Sequence, residues 1–388
     1  MDYGLSELQL MIVELARKVA VEKVLPHRAE LDEKEEFPYE QMKALAEADL
    51  FGVFLPEEYG GMGGECCLNL CVAVEQISRM CGGVAVSYAA NALGSYPILL
   101  HGTEEQKQKY LPDVASGKKF AAFGLTEPNA GSDAGGIETT AKKDGDYYIL
   151  NGTKQWITNG NAASIFTVFA TVDKSRGARG VSAFVVEKDT PGFTVGLKEK
   201  KLGIRCSGTC ELHFDDCKIP AANLLSKEGR GFRVAMDTLD KSRPGIGAQA
   251  VGIAQGAFEE AVKHCRTRIQ FGQPIASIQA VQHIIADMAT SIEASRLLVY
   301  HAAKAVDANT KDSSKLAAMA KVMASDTAMK VATDAIQIAG GTGYMREYPI
   351  EKYFRDAKIT QIYEGANQIQ RNVIGLEVIK EFAQEGKK

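Results

Sequence analysis

The sequence predicts an α+β protein built in three parts. A helical N-terminal domain covers residues 1–118, an antiparallel β-sandwich or barrel covers 119–228, and a four-helix bundle covers 229–388. Three observations carry this expectation. At 388 residues the chain is longer than one compact core usually serves. Apolar residues recur at helical spacing in the first and last thirds. In the middle third the period drops to two, β-branched and aromatic residues rise, and turn signals recur at short, regular intervals.

Each element follows from local chemistry. Ser6-Glu7 reads as a helix start, after which Leu10, Val13, Leu15, Ala16 and Val19 keep an apolar face until Pro26 ends it. A second helix over 39–48 turns Met42, Leu45 and Ala46 inward. Pro56 to Gly61 is a breaker, and helices follow over 65–80 and 84–100. Thr103-Glu104-Glu105-Gln106 has the pattern of a capping box for a short helix to about residue 110. Tyr147 to Leu150 then runs into Asn151-Gly152, a hairpin signal, with a return strand over 153–158. Further strands are expected over 165–172, 182–187, 193–197 and 211–214. From Gly231 the helical period returns. Long segments over 245–269, 280–307, 312–338 and 367–383, joined by short loops, predict an antiparallel bundle.

Composition narrows the function. The chain is 45% hydrophobic and 24% charged with a net charge of −4, so a nucleic-acid partner is disfavoured. An anionic ligand must be held by a few placed cations and backbone N–H groups. The longest uncharged stretch, residues 81–103, holds Ser87, Asn91, Ser95 and Pro97 and reads as a buried helix, not a membrane span. Asp2 and Glu7 stand where a signal or transit peptide would be basic or apolar, and neither is expected. The eight cysteines form no Cys-x-x-Cys pair and the six histidines no ligand-spaced pair, which suits reduced thiols in a cytoplasmic protein without a metal. No Gly-x-Gly-x-x-Gly follows a strand, and there is no P-loop, His-Glu-x-x-His or Gly-x-Ser-x-Gly.

Four segments instead concentrate glycine, hydroxyl and amide residues. They are residues 123–133 (Phe-Gly-Leu-Thr-Glu-Pro-Asn-Ala-Gly-Ser-Asp), 156–160 (Trp-Ile-Thr-Asn-Gly), 268–274 with Gln279, and 337–344 with Arg355-Asp356 and Tyr363-Glu364-Gly365 downstream. In content, order and spacing the chain resembles the acyl-CoA dehydrogenases from about residue 3 to residue 380, including the helix–β–helix plan of their fold. The resemblance implies bound FAD, a homotetramer, a role in fatty acid metabolism, and electron transfer to an electron-transferring flavoprotein.

Site residues carry over by position. The resemblance puts Trp156, Ile157 and Thr158 on the flavin, Thr158 near N5, with Phe123, Leu125, Thr126, Gly131 and Ser132 at its other contacts. Ser132 also approaches the substrate's pantetheine. A flat isoalloxazine needs such an apolar face with polar donors at its edge, and given the whole pattern this reading outweighs that of a tryptophan filling a sandwich core. Arg268, Phe271 and Gln279 match the pyrophosphate site shared with a neighbouring subunit, and Gln337, Gly340 and Gly341 the adenosine end. The family's usual Thr after Glu-Gly is Ala366 here. One hydroxyl contact is lost, while backbone N–H groups of Ala366, Asn367 and Gln368 at the helix start remain available. Glu364 matches the catalytic base, which removes the α-proton as hydride leaves Cβ for flavin N5. The family adds an oxyanion site from the base's own N–H and a ribityl hydroxyl. Relatives that carry the base in a Leu-Asp-x-x-Arg motif place it directly before the arginine. Here that position is Ser242, in Leu239-Asp240-Lys241-Ser242-Arg243. Asp240, Arg243 and Gly365 are assigned to the acyl-CoA, although an Asp-x-x-Arg pair could also be only an i,i+3 ion pair.

The pocket wall is expected from residues 87–95. Ala89, Ala90 and Ala92 are small there, Tyr88 and Leu93 are bulky, and no Arg or Lys is present to hold a distal carboxylate. That disfavours a dicarboxylic acyl group. It leaves a short linear chain slightly ahead of a branched or alicyclic one of the cyclohexane-carboxyl type. A non-catalytic flavin- or acyl-CoA-binding subunit and an oxidase or monooxygenase on the same fold are the other readings.

Overall fold

A computed structural model describes residues 3–385. The first part is helical: α1 (Glu7–Val19), α2 (Arg28–Lys34), α3 (Tyr39–Glu47), α4 (Cys66–Ser78), α5 (Gly82–His101) and α6 (Glu104–Ala115). Capping boxes start two helices, the one at Thr103 as expected and the other at the expected helix start of Ser6. Ser6 with Gln9 opens α1, and Thr103 with Gln106 opens α6. Pro26 does not end the first helical run. The backbone widens to a π turn over Ala20–Val24, tightens to a 3₁₀ turn over Leu25–His27 and continues into α2. Proline sits where an N–H is not needed, at the start of a new turn. The inward face of α1 is Gln9, Ile12, Ala16 and Val19, whereas Leu10 and Leu15 lie outside. Pro97 and Pro112 lie within α5 and α6.

The middle part is one sheet of β1 (Ala121–Gly124), β2 (Thr140–Asp144), β3 (Tyr147–Thr158), β4 (Ile165–Thr171), β5 (Val181–Glu187), β6 (Phe193–Lys198), β7 (Thr209–Pro220) and β8 (Leu224–Leu225). The strand order is β6-β7-β3-β2-β4-β5-β8, with β1 pairing β4. It is antiparallel except where β1 and β2 run parallel to β4. The expected hairpin at Asn151-Gly152 is absent, and β3 runs straight through. Asn151 instead reaches across to β7, exchanging hydrogen bonds with Asp216 (2.8 and 3.0 Å) beside a register shift. The hairpin that forms joins β2 to β3 at Gly145-Asp146, with Gly145 at φ +56°.

Strands β4 and β5 are buried on both faces, apart from Glu187. Phe166, Val168, Ala170, Phe184 and Val186 face a small sandwich core with Tyr148, Leu212 and Phe214. Ile165, Phe169, Ala183 and Val185 face the larger core built with the helices. The sheet is thereby joined to α5, whose Gly94 lies so close to Ala121 and Ala122 that a Cβ there would meet their backbone at 2.5–2.7 Å.

The C-terminal part comprises α7 (Gly231–Thr267), a short ribbon of β9 (Ile269–Gln270) and β10 (Gln273–Pro274), α8 (Gln279–Asp307), α9 (Ser313–Ala339), α10 (Gly341–Tyr344), α11 (Ile350–Ile359) and α12 (Asn367–Glu385). Helix α7 is longer than expected because Pro244 is accommodated within it. No helix among the described residues is long and apolar enough to cross a membrane. All eight cysteines are free and buried.

Candidate active site

A cavity of about 480 Å³ opens where α5, α7, the sheet and the turn before α12 converge. Strand β3 supplies Trp156, Ile157 and Thr158, and the segment after β1 supplies Phe123, Leu125, Thr126, Gly131 and Ser132. Arg243 comes from α7, and Glu364 and Gly365 from the turn before α12. Residues spread over some 240 positions of sequence thus meet in one space.

Trp156 is not a core tryptophan. Between Lys154 and Ile157 strand β3 carries one residue more than β7 opposite it, and Trp156 sits in this bulge at φ +60°. The bulge turns the indole out of the sandwich, leaving it 56% exposed. Beneath it, the wholly buried Lys154 donates to Glu127 (2.6 Å) and to the carbonyl of Leu125 (3.1 Å). The Glu127 carboxylate also accepts from the N–H groups of Glu138 and Thr139 (2.5 and 3.0 Å). Burial pushes Lys154 down to about 8 against the pull of Glu127. Burial raises Glu127, but Lys154 and the donors around it outweigh this and hold the carboxyl below its ordinary value. With Gln155 N–H donating to Thr126 carbonyl (2.9 Å), the 125–127 segment is pinned to β3. A half-exposed indole, the apolar Leu125 and Ile157, and the hydroxyls of Thr126 and Thr158 fit a large flat heteroaromatic ring such as isoalloxazine.

Glu364 and Gly365 are both held at positive φ, +51° and +90°. The Glu364 carboxylate accepts a hydrogen bond from Ser242 Oγ at 2.6 Å. Burial pushes this carboxyl up to about 7, while Ser242, Arg243 and Lys321 pull the other way. Beside it Tyr363 donates to the side-chain oxygen of Gln249 from α7. Arg243 is 4% exposed and ion-paired with Asp240 one turn earlier, and its Nε has no partner. Burial lowers it below the usual arginine value although Asp240 and Glu364 oppose this. A buried guanidinium with a spare N–H, a carboxyl near neutrality and an apolar wall can bind a polar acyl derivative and take a proton from it.

The remaining expected residues lie elsewhere. Asp240 is outside the cavity wall, tied to Arg243. The Asn367 side chain is spent on Ser325 and Asp326 and its backbone N–H donates to the Gln361 carbonyl at 3.0 Å, so it is not available to a ligand as expected, and Ala366 and Gln368 do not line the cavity. Arg268, Phe271, Gln279, Gln337, Gly340 and Gly341 form exposed patches away from it. Gly340 ends α9 at φ +60°, and a Cβ on either Gly340 or Gly341 would meet nothing within 4 Å. Sequence reasoning missed Val86 of α5, Phe232, Met236, Leu239 and Ile246 of α7, and Ala178 before β5. The α7 set follows a helical period from Phe232 and could have been found as one face of that helix.

Comparison with known proteins agrees across the whole chain. Family models for the acyl-CoA dehydrogenase N-terminal, middle and C-terminal domains match residues 6–118, 122–217 and 229–379. The chain is 46% identical over 381 residues to the cyclohexane-1-carbonyl-CoA dehydrogenase of Geobacter metallireducens, covering 98% of this chain and 100% of that one. The solved butyryl-CoA dehydrogenase of Megasphaera elsdenii superposes with a TM-score of 0.94 at 45% identity, over 98% of this chain and 100% of that one. A chain from the structure describing the electron-transferring flavoprotein of Acidaminococcus fermentans and flavin-based electron bifurcation gives a TM-score of 0.95 at 49% identity, over 97% and 99%.

Proposed function

The chain belongs to the acyl-CoA dehydrogenase family, a family of FAD-dependent oxidoreductases, and on that premise we propose that it desaturates an acyl-CoA thioester at Cα–Cβ with Glu364 as the base. The observation that carries this is a carboxyl lifted to about 7 inside a largely apolar cavity, on the same space as the outward-turned Trp156. A weakly acidic α-proton calls for a desolvated carboxylate. Glu364 is aimed by Ser242 and takes that proton, and its backbone N–H is offered to the thioester oxygen. Arg243 Nε is the cation offered to the polar part of the ligand. Trp156, Ile157, Thr158, Leu125, Thr126, Gly131 and Ser132 hold the flavin, which supplies the hydride acceptor. Arg268, Phe271, Gln279, Gln337, Gly340 and Gly341 complete its site from a second subunit of a homotetramer, and an electron-transferring flavoprotein takes the electrons away.

The acyl end faces Val86, Ala89, Ala90 and Leu93 of α5 with Leu239 and Ile246 of α7, a wall without a fixed charge. A short linear chain, as in the butyryl-CoA relative, is the first reading. The paired alanines favour a second, an alicyclic acyl group of the kind named for the Geobacter relative. Anaerobic bleaching of the flavin by butyryl-, branched and cyclohexane-carbonyl thioesters separates them. The base is tested by Glu364→Gln. The amide keeps the size of the carboxylate and cannot accept the α-proton. Flavin reduction is expected to fall about 10²–10⁴-fold with FAD retained. Reduction at near wild-type rate refutes the assignment.

A further inference from the structure

Lys321 lies in the middle of α9, has no exposed surface, and lines no part of the cavity. A buried ammonium is costly unless its donors are used. Lys321 Nζ donates to the carbonyl of Gly365 at 2.9 Å and to Asn367 Oδ1 at 2.8 Å. The same turn is held from its other side by Gln370, whose amide donates to the carbonyls of Glu364 and Gly365 (3.1 and 3.2 Å). Asn367 is fixed in turn by Ser325 Oγ and Asp326 Oδ1 (2.9 and 2.8 Å), both on α9. The two positive-φ residues that present the base are therefore tied to α9 through the Lys321 cation and to α12 through Gln370.

Resting on the reading of Glu364 as the base, we propose that Lys321 is a positioning residue for the reaction: it anchors the Glu364–Gly365 turn by its hydrogen bond to Gly365 and, as the nearby cation on α9, biases Glu364 toward the ionised, proton-accepting form. The charged and titratable groups facing Glu364 are Arg243 of α7, itself paired with Asp240, Lys321 of α9, and the neighbouring Tyr363. Asp326 and Arg371, paired with each other at 2.6 Å, face Lys321 from α9 and α12. Arg243 and Lys321 are thus the two cations acting on the base, and Arg243 shares its charge with Asp240. Burial pushes the ammonium down to about 7 against the pull of Glu364. Lys321 and Glu364 accordingly titrate in the same range and support each other's charge.

The test compares Lys321→Met and Lys321→Gln with wild type, as flavin-loaded protein. The readouts are the pH profile of substrate-driven flavin reduction, flavin content and melting temperature. Loss of the cation raises the Glu364 pKa, so the acid limb is expected to move up by about one pH unit. The rate then falls about tenfold near pH 6 and far less near pH 9. Both variants should shift alike, since Gln can still donate to Gly365 but carries no charge. An unmoved limb in either variant that retains flavin overturns the proposal. If both lose flavin, Lys321→Arg decides. A loaded Arg variant with the wild-type limb supports the proposal, and a shifted limb refutes it. Failure of the base assignment is separately visible as an active Glu364→Gln variant.

Discussion

At the scale of the residue, the site turns on the Ser242–Glu364 contact. The 2.6 Å hydrogen bond places position 242 of α7 directly beside the carboxylate of the turn before α12. A carboxylate carried at 242 would therefore approach the same reacting atom. Ser242→Glu combined with Glu364→Gly is expected to recover part of the flavin reduction that Glu364→Gly alone abolishes. A double variant as inactive as the single one would show that the two positions do not address the same Cα. The wild-type profile follows from the lifted carboxyl. A base works only when ionised, so the rate should rise from low pH to a plateau above about 7. A stopped-flow pH series on wild type and Glu364→Gln checks this, because the limb should vanish with the carboxylate. Asp240 is a poor substitute base, since it is committed to Arg243 outside the cavity wall.

At the scale of the element, strand β3 does most to build the cavity wall proposed to hold the flavin. Its bulge turns Trp156 outward, and its Lys154 pins the segment that carries Leu125 and Thr126. Lys154→Met would leave Glu127 buried beside an apolar side chain with only backbone donors. Breaking a buried pair from one side typically costs about 3–5 kcal/mol. The variant should melt lower and release FAD more readily, both followed by flavin fluorescence on heating. Wild-type melting and retention would mean the pair is not what holds the 125–127 segment. Gly152 in the same strand is at φ +146°, and a Cβ there would stand 2.5–2.8 Å from Thr139. Gly152→Ala should therefore destabilise by about 1–3 kcal/mol in denaturant unfolding, without touching the base.

At the scale of the whole molecule, the exposed residues are as informative as the buried ones. Phe271 is 91% exposed at φ +52°, beside exposed Arg268 and Gln279, on the ribbon between α7 and α8. Helix α12 turns Leu376, Ile379 and Phe382 outward. Large apolar side chains left uncovered in one subunit fit a surface meant for another copy. Gel filtration with light scattering is expected to give a yellow tetramer. Phe271→Ala should lower flavin content while leaving the Glu364 cavity intact. A colourless monomer that takes up no FAD would overturn both the assembly and the shared-site reading.

The helix–sheet–helix order was legible because period and composition are local properties of the chain. So were the helix start at Ser6, the capping box at Thr103 and the segments holding Trp156, Leu125, Thr126 and Glu364, since each depends on residues a few positions apart. What could not be read were events set by partners distant in sequence. Asn151-Gly152 carries the chemistry of a hairpin, yet Asp216 on β7 captures Asn151 and the strand continues. Pro26 reads as a stop, yet a widened turn absorbs it. Asp240 and Arg243 look alike as ligands in sequence, and burial alone separates the one inside the cavity from the one outside. Lys321 reads as an ordinary helix lysine, and only packing turns it onto the carbonyl of Gly365. By itself the sequence determined which segments are helical or extended and which of them carry candidate acid, base and ring-facing residues. The tertiary structure decided which of them meet and what their surroundings do to their charge, because contact and desolvation depend on distances that the linear order of residues does not contain.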